Sequence, residues 1–380
     1  MPDNPIPLSA PWITDREISA ITKSLKEGRV SSNEENLQGA ISELKRITSA
    51  DNILLTTSCT SSLELALECL DLNKGEEVIL PSFTYVSTAN AILCAGGIPV
   101  LTDIEEETLS LDLDDVKSKI TERTKAIMPV HYASISCDMD ALLNIAKNKN
   151  IAIVEDAAHA IGATYKEKHL GTIGDLGCLS FHDTKNCTCG EGGALLVNNP
   201  ELMNKVEQMY EKGTNRSAFL RGEIDSYSWT SKGRSYALAS PLAELLQVQL
   251  ERFDEIHSKR KILADKYREG LQILASAGHI RLINPPEYAK SNDHIAFFLV
   301  EDPAKRDPLI RHLKSNGIGA ASHYVPLHLS PYALEHLNTQ PGQFPVTERV
   351  ASSIVRLPLF PQLPLEDCNA IIDKIIQFFH

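Results

Sequence analysis

Residues 52–81 read NILLTTSCTSSLELALECLDLNKGEEVILP, in which two short apolar runs flank a cluster of small hydroxyl residues and an amphipathic stretch. Short apolar runs predict buried strands, and the stretch between them predicts a helix. The alternation continues through VSTANAILCAGG, IPVLTD, AIMPVHY, DMDALLNIAKNKN, IAIVED, GCLSF and GALLVNN. Because strands that alternate with helices are typical of crossover units, the sequence predicts an α/β domain with a mainly parallel sheet covered on both faces.

The pattern changes near Pro241, where a long stretch carries apolar residues at helical spacing, PLAELLQVQLERFDEIHSKRKILADKYREGLQIL. We predict a long helical stretch here that leads into a second unit. The strand-like HIAFFLV, the amphipathic RDPLIRHLKSNGI and a closing helix LEDCNAIIDKIIQFF follow. The predicted organisation is a large α/β domain over residues 1–250 and a small C-terminal α+β domain over residues 251–380.

Charge and cysteine usage narrow the class of protein. The chain of 380 residues has a net charge of -13, which opposes general attraction to nucleic acid or to anionic lipid. Its eight cysteines are scattered, which indicates free thiols in a reducing compartment. The start of the chain does not resemble a signal peptide, and no apolar run reaches the roughly 18 residues of a membrane span. We therefore expect a cytoplasmic protein that binds neither nucleic acid nor membrane.

The stretch SFHDTKNCTCGEGG, residues 180–193, groups a histidine, an aspartate, two cysteines and a lysine before several glycines. A zinc site is disfavoured because the two cysteines are spaced C-x-C with no second pair, so they are expected to be small buried residues. The glycines match neither a Walker loop nor a dinucleotide fingerprint. No metal is expected, and Lys185 is left as the candidate reactive residue of this stretch.

Lys185 follows a strand-like run and precedes the glycines. A lysine at a strand end in a partly desolvated pocket can lose its proton and form a Schiff base with an aldehyde cofactor. The alternative is a solvated surface lysine.

An electron-sink cofactor such as pyridoxal phosphate also needs a carboxylate at its ring nitrogen, a phosphate site and a platform for its ring. Asp156 ends the predicted strand IAIVED, although a helix N-cap would also explain it. Thr60 and Ser61 open a helix whose free N–H groups suit a phosphate, and Ser180 approaches beside the lysine. Tyr85 is placed to stack on a ring, with core packing as the alternative.

Several motifs together resemble the DegT/StrS family of nucleotide-sugar aminotransferases, and the resemblance runs from about Pro5 to the end of the chain. The motifs are TTSCTSSLELA, LPSFTYVSTANAI, PVHYASISCDMD, VEDAAHAIGATYK, GTIGDLGCLSFHDTKN, GEGGALL, HYVPLHLSPY and LPLFPQL. The resemblance implies a fold-type I, pyridoxal-phosphate-dependent homodimer with shared active sites. It also implies transfer of an amino group from L-glutamate to a nucleotide-linked ketosugar, in deoxysugar biosynthesis of the kind that supplies lipopolysaccharide O-antigen.

The resemblance also implies roles for individual residues. Lys185 is the catalytic Schiff-base lysine, and its presence favours transamination over the dehydratase branch, where histidine replaces it. The expected cofactor contacts are Asp156 at the ring nitrogen, Tyr85 on the ring face, His159 near the phenolic oxygen, and Thr60, Ser61 and Ser180 on the phosphate. Ser235 stands where many relatives place an asparagine that reaches the partner's phosphate.

A diphosphate substrate requires cations from this acidic chain. One irregular stretch contains five candidates, Lys212, Arg216, Arg221, Lys232 and Arg234, with a solvated loop as the alternative. His323 and His328 match positions near the substrate in the family, although a polar surface role would also explain them. Two broader alternatives are a cofactor-binding protein without catalysis and an aminotransferase for a 3-keto sugar or a UDP or GDP carrier.

Overall fold

The structure is a computed structural model that describes residues 5–380. Its α-helices are numbered in chain order: α1 (Asp15–Lys26), α2 (Glu34–Thr48), α3 (Cys59–Glu68), α4 (Val86–Cys94), α5 (Leu113–Lys119), α6 (Met139–Lys147), α7 (Met203–Tyr210), α8 (Arg216–Leu220), α9 (Ser240–Glu251), α10 (Phe253–Ser276), α11 (Arg306–Ser315), α12 (Pro331–His336), α13 (Pro345–Ser353) and α14 (Leu365–Phe379). The strands are β1 (Ile53–Thr56), β2 (Glu77–Pro81), β3 (Ile98–Thr102), β4 (Thr124–Ile127), β5 (Ala152–Asp156), β6 (Thr164–Tyr165), β7 (Lys168–His169), β8 (Leu176–Ser180), β9 (Gly193–Val197), β10 (Ile280–Arg281), β11 (Ala289–Lys290), β12 (Ala296–Val300) and β13 (Ile354–Leu357).

A seven-stranded sheet of order β1-β9-β8-β5-β4-β2-β3 forms the centre of the large unit. Strands β8, β5, β4, β2 and β3 pair in parallel, and β9 is antiparallel to both β8 and β1. Residues 181–192 connect β8 to β9 and contain no helix. Antiparallel neighbours need no helical crossover, so this loop can place β9 directly beside β8. The predicted mainly parallel sheet is confirmed.

Helices cover both faces of this sheet, which explains why β2, β8 and β9 are buried along their whole length. Neighbouring residues of β9 point to opposite faces: Leu196 packs in the core that includes α2 and α9, and Leu195 packs in the core that includes α3 and α4. The sheet is therefore rigid, and its strand ends are fixed positions for functional side chains.

A three-stranded antiparallel sheet of order β10-β12-β13 forms the core of the C-terminal unit with α10, α11 and α14. Residues near the start of the chain join it. The N–H of Ile6 donates to the carbonyl of Gly317 at 2.8 Å, and the N–H of Leu359 donates to the carbonyl of Leu8 at 3.2 Å. Residues 6–8 thus pack on the small sheet, and the division at residue 250 stays a prediction.

The long helical stretch predicted from Pro241 is helical and consists of two helices, α9 and α10, with a break between them. The break falls at Arg252, whose φ of -95° and ψ of 11° depart from helical geometry. The Arg252 guanidinium is buried and donates to the Glu17 carboxylate of α1 at 2.6 Å. Because of the bend, α9 packs on α1 and α2 while α10 packs on α14. In the described part of the chain, no helix has both the length and the apolar character to cross a membrane.

Candidate active site

A cavity of about 590 Å³ opens where β5 and β8 end. The carboxyl ends of strands in open α/β sheets are where ligands bind. The residues predicted from sequence that line this cavity are Thr60, Tyr85, Asp156, His159, Ser180, Lys185 and His323. One cavity therefore collects residues from both halves of the chain.

Lys185 lies in the turn that follows β8, and its N–H donates to the carbonyl of His182 at 2.9 Å. Burial lowers the pKa of the Lys185 amine to about 8, although its interactions with Cys59 and Asp156 act in the opposite direction. With a pKa of about 8, roughly a tenth of the amine is neutral at pH 7, far more than for an exposed lysine. The structure thus makes Lys185 a nucleophile near neutral pH.

Asp156 is the last residue of β5 and is buried. Its carboxylate accepts hydrogen bonds from the Thr88 hydroxyl at 2.8 Å and from the N–H of Ala158 at 3.2 Å. Burial raises the pKa of Asp156, and the hydrogen bonds and the charge of Lys185 only partly offset this. A cationic group bound against Asp156 would favour the charged form, which is how a carboxylate keeps a pyridine nitrogen protonated.

The amino end of α3 supplies hydroxyl groups and free N–H groups to the cavity. Ser58 is the N-cap, and its hydroxyl oxygen accepts the N–H of Ser61 at 3.1 Å. Ser58 and Thr60 line the cavity, whereas Ser61 does not. The hydroxyl oxygen of Ser61 lies 3.0 Å from that of Ser58 and 2.9 Å from that of Thr57. This helix terminus can bind an anion through its N–H groups and the two lining hydroxyls.

Ser180 reaches the same helix terminus because a glycine allows close approach. Ser180 pairs with Gly193 across β8 and β9. A Cβ atom at Gly193 would lie 2.5 Å from the backbone of Ser58 and Cys59, so only glycine leaves room for α3 to start here. The hydroxyl of Ser180 is thereby brought into the cavity beside α3.

Tyr85 immediately precedes α4, and 58% of its surface is exposed. Its ring centroid lies 6.2 Å from that of Tyr324, which also lines the cavity. A tyrosine packed in the core would be buried, so the core-packing alternative does not describe this residue. An exposed ring beside the cavity suits stacking on a flat heterocycle.

His159 is buried in the cavity wall, and burial together with the charge of Lys185 keeps its pKa well below the ordinary value. The imidazole is therefore neutral at physiological pH. Its Nδ1 accepts the N–H of Ala133 at 3.4 Å, which places the proton on Nε2. A neutral ring with a protonated Nε2 can donate one hydrogen bond to a bound oxygen.

The two histidines predicted near the substrate occupy different surroundings. His323 lines the cavity, and its Nδ1 lies 2.5 Å from the hydroxyl of Tyr132. His328 is fully buried and does not line the cavity; its ring nitrogens lie 2.7 Å from the Ser82 hydroxyl and 3.0 Å from the Glu348 carboxylate. His328 thus holds its loop to the end of β2, and this geometry gives no support to a direct contact with substrate.

The predicted diphosphate cations do not line the cavity of their own chain. They lie in an exposed segment, residues 211–235, that is joined at its base by a bridge between Glu211 and Ser235. Arg221 pairs with the Glu207 carboxylate at 2.9 Å. Ser235 is exposed and lies outside the cavity. The remaining members of this set are Lys212, Arg216, Lys232 and Arg234.

The donor atoms near Lys185 do not form a metal site. Cys187 and Cys189 are buried and pack in the large core. The Nδ1 atom of His182 lies 2.9 Å from the Asp183 carboxylate at the surface. Among residues 5–380, no three His, Cys, Asp or Glu side chains are grouped so as to hold a metal ion.

Sequence reasoning missed several residues that line the cavity: Ser58, Thr88, His294, Tyr324 and Arg356. Ser58 and Thr88 lie inside motifs that the sequence analysis had already assigned to the site, so both residues could have been predicted from those motifs. Arg356 directly precedes LPLFPQL, and His294 directly precedes the strand-like IAFFLV. Nothing in the local sequence shows that these two residues face the cavity.

These features together fit pyridoxal phosphate, because they supply a partly unprotonated lysine, a buried carboxylate, an anion-binding helix terminus and an exposed aromatic ring. The fold and the site define a fold-type I aminotransferase whose cofactor is pyridoxal phosphate. The chain belongs to the DegT/DnrJ/EryC1/StrS aminotransferase family, whose sequence model matches residues 11–376.

Similar proteins support the same class. The spore coat polysaccharide biosynthesis protein SpsC of Bacillus subtilis is 32% identical over 379 residues, covering 97% of this chain and 96% of SpsC. Spr1654 of Streptococcus pneumoniae, a proposed sugar aminotransferase solved in its PMP form, has a TM-score of 0.90 at 29% identity, covering 98% of this chain and 97% of that one. DesV of S. venezuelae, solved with a ketimine intermediate, has a TM-score of 0.88 at 30% identity over 99% of this chain and 98% of DesV.

The lowered pKa of Lys185 predicts how cofactor capture depends on pH. Only the neutral amine attacks an aldehyde, so the capture rate of cofactor-free protein should rise about tenfold per pH unit below pH 8 and level off above it. Stopped-flow absorbance after mixing with pyridoxal phosphate measures the rate, and Lys185→Ala protein supplies the blank. A rate that keeps rising to pH 10 would show an ordinary, solvated lysine.

Proposed function

We propose that this protein transfers the amino group of L-glutamate to a keto-deoxysugar nucleotide, with dTDP-4-keto-6-deoxyglucose aminated at carbon 4. In this proposal the enzyme is a dTDP-4-amino-4,6-dideoxygalactose transaminase, with its gluco-epimer counterpart as the alternative, that works in the cytoplasm and supplies a sugar for surface polysaccharide. The stretch EKGTNRS, residues 211–217, supports this choice because it resembles that group of enzymes within the family. The observation that carries the transaminase itself is the buried Lys185 amine, with its lowered pKa, in a cavity shared with Asp156.

Pyridoxal phosphate, when bound, supplies an electron sink for the pair of electrons left when a proton leaves the donor's α-carbon. Lys185 would hold the cofactor through its amine, and the same amine, once free, would move the proton as a general base and acid. Its lowered pKa suits both roles, because a proton carrier works best with a pKa near the working pH. The second half of the reaction reverses these steps on the ketosugar.

The other residues hold the site in its working state. Asp156 would keep the ring nitrogen protonated, and Thr88 and Ala158 orient its carboxylate through the bonds described above. His159 would be able to donate from Nε2 to the phenolic oxygen, since its Nδ1 is already an acceptor. The N-terminus of α3, with Thr60 and Ser180, binds the phosphate. Ser61 would support the phosphate site indirectly, because its hydroxyl is hydrogen-bonded to that of Ser58.

We propose that two copies form a homodimer and that the exposed segment 211–235 of each copy reaches the other's cavity. Two points support this proposal. The proposed substrate is negatively charged and needs cations, and the cations of segment 211–235 do not line the cavity of their own chain. Arg216 lies 3.7 Å from the Glu211 carboxylate, and Arg221 pairs with Glu207. Surface ion pairs contribute about 0–1 kcal/mol, so a diphosphate can replace these carboxylates as the partner. Ser235 and Lys212 belong to the same proposed contact.

Neutralising two of these cations tests the proposal. The double change Arg216→Gln and Arg221→Gln should raise the KM for the sugar nucleotide by roughly tenfold, because charge-assisted hydrogen bonds contribute about 1.5–3 kcal/mol each before competition. The KM for L-glutamate should stay within about twofold. Steady-state kinetics measures both constants. The matched control is Arg268→Gln, an arginine of similar exposure that pairs with Asp265 in the C-terminal unit. An unchanged KM for the nucleotide contradicts the assignment.

A substrate panel tests the proposed function as a whole. Purified protein is incubated with cofactor, L-glutamate and 4-keto or 3-keto deoxysugars on dTDP, UDP and GDP, and the products are read by mass and by stereochemistry at the new amine. We expect dTDP-linked 4-amino-4,6-dideoxygalactose as the main product. A product with another sugar or another nucleotide carrier would replace the proposed substrate, but the protein would still be a sugar aminotransferase. A protein that binds cofactor but is never bleached by glutamate would be a non-catalytic relative.

A further inference from the structure

His294 is a buried residue that lines the cavity and takes no part in the steps above. It lies between β11 and β12, in a segment that the buried Arg260 side chain of α10 holds in place. The Nε–H of Arg260 donates to the carbonyl of Asp293 at 3.2 Å, and an Nη2–H donates to the carbonyl of His294. The His294 ring therefore enters the cavity wall from a backbone that is fixed to α10.

The His294 ring is hydrogen-bonded to the residue that follows the reactive lysine. Its Nδ1 atom lies 2.9 Å from the Oδ1 atom of Asn186, which is also buried. The amide nitrogen of Asn186 donates to the carbonyl of Asn292 at 3.0 Å, so the amide oxygen is the acceptor and the His294 Nδ1 carries the proton. Burial, followed by the charge of Lys185, keeps the pKa of His294 well below its ordinary value. His294 is thus a neutral ring that donates from Nδ1 to Asn186.

The turn that carries Lys185 is therefore held on both sides. On one side, the N–H of Lys185 donates to the carbonyl of His182 at 2.9 Å. On the other side, both amide atoms of Asn186 are bonded, the oxygen to His294 and the nitrogen to Asn292. Because a long lysine side chain starts from this backbone, a shift of the turn moves the amine that has to meet the cofactor.

His294 also packs on His159. The two ring centroids are 4.4 Å apart with planes at 42°, and this is the shortest ring contact of His159 among residues 5–380. The bond from the N–H of Ala133 to the His159 Nδ1 is 3.4 Å long, beyond the usual range of about 2.7–3.2 Å, so it fixes the ring only weakly. The ring of His294 therefore provides much of the support that orients His159.

We propose that His294 is a positioning residue of this site, which holds the Lys185 turn through Asn186 and sets the direction in which His159 points its Nε2–H. This inference rests on the proposed function, because Lys185 and His159 contact the cofactor there. It assigns to the segment before β12 a part in the site that neither the cofactor nor the substrate contacts would show. The two links are separate, so each has its own measurement.

The absorbance of the bound cofactor reports on His159. A hydrogen bond donated to the phenolic oxygen favours the form of the cofactor that has lost its proton, so losing the bond raises the pH midpoint of the absorbance change. His294→Asn retains a nitrogen that can donate to Asn186 but lacks the ring. Its midpoint, titrated without substrates, should rise by about one pH unit, the scale set by one hydrogen bond to an ionised group. His294→Phe retains a ring against His159, so its midpoint should move less than half as far.

The rate of cofactor capture reports on Lys185. His294→Phe removes the donor to Asn186, and Asn186→Leu removes the acceptor, so each loosens the same turn. In stopped-flow measurements at one pH, each variant of the cofactor-free protein should capture pyridoxal phosphate roughly tenfold more slowly. The double variant should be no slower than Asn186→Leu alone, because the bond is already absent there. His294→Asn, which keeps a donor, should recover most of the rate.

His312 supplies the matched control, because its Nε2 lies 3.2 Å from the carbonyl of Lys374 and its ring centroid lies 5.6 Å from that of Phe378, outside the cavity. His312→Asn and His312→Phe should leave the midpoint and the capture rate unchanged. An unchanged midpoint in His294→Asn, an unchanged capture rate in His294→Phe, or equal effects in the His312 variants would overturn the inference. If wild-type protein captures the cofactor but is never bleached by glutamate, the proposed function fails, and the two measurements still decide whether His294 positions Lys185 and His159.

Discussion

Replacing Lys185 by alanine should lower the rate of amino transfer by about 10⁴-fold or more. The change would remove the amine that holds the cofactor, which is also the only lysine among the described residues that line the cavity, and positioned proton transfer alone contributes roughly 10²–10⁴-fold. Single-turnover formation of the amino sugar, followed by mass spectrometry, measures the loss. Added methylamine should restore part of the rate, because a small amine can enter the space that the side chain leaves.

Lys314→Ala is the matched control for this experiment. Lys314 lies in the last turn of α11, is exposed and does not line the cavity. Its replacement should leave the rate unchanged. If Lys185→Ala protein turns over repeatedly without added amine, Lys185 is not the catalytic lysine and the proposed function has to be rebuilt around another group.

Replacing Asp156 by asparagine should give the second largest loss. Asparagine keeps the shape and can still accept the N–H of Ala158, but it removes the negative charge opposite the ring nitrogen. Loss of one member of a buried ion pair costs about 3–5 kcal/mol, which corresponds to roughly 10²–10⁴-fold in rate if the whole pair acts in the transition state. The rate of the half-reaction with glutamate measures this loss.

The control for Asp156 is Asp175→Asn at the other end of the sheet. Asp175 precedes β8, and its carboxylate accepts the N–H of Ile153 at 2.9 Å and an amide N–H of Asn199 at 3.0 Å. It lacks contact with the cavity, so its loss should lower stability but leave the rate per folded molecule intact. An Asp156→Asn protein with nearly normal rates would show that this carboxylate only supports the fold.

The sequence predicted the large sheet well because its strands are covered on both faces, so each appears as a continuous apolar run between helices. The same pattern located Lys185 and Asp156, since both stand where an apolar run ends and ligands gather at strand ends. These residues needed only local information. Their roles in catalysis stay predictions that the two experiments above address.

Contacts between distant segments could not be predicted in this way. Apolar spacing continues through Arg252, and the break between α9 and α10 depends on Glu17, near the start of the chain. Arg356 is brought to the cavity by the second sheet, so no pattern around residue 356 shows its surroundings. These cases share one cause, which is that tertiary contacts decide where a charged side chain points.

The choice between neighbouring hydroxyl residues at α3 was also beyond local reasoning. Each residue of a helix is turned by about 100° from the one before it, so neighbouring residues at a helix terminus differ in how far they face a cavity. The structure turns Thr60 to the cavity and Ser61 to the hydroxyls of Ser58 and Thr57. Composition indicated an anion site here, and only the rotation of the helix assigns its individual groups.

The attachment of residues 6–8 to the small sheet has a practical consequence for handling the protein. Leu8 and Ser9 line the cavity, so any polypeptide placed ahead of them begins at the rim of the site. A polyhistidine tag joined within eight residues ahead of Leu8 begins within about 30 Å of the cavity along the chain, because an extended chain spans at most ~3.6 Å per residue. Such a tag can compete for anionic substrate and distort the measured constants, so purification through a tag after α14 is the safer design.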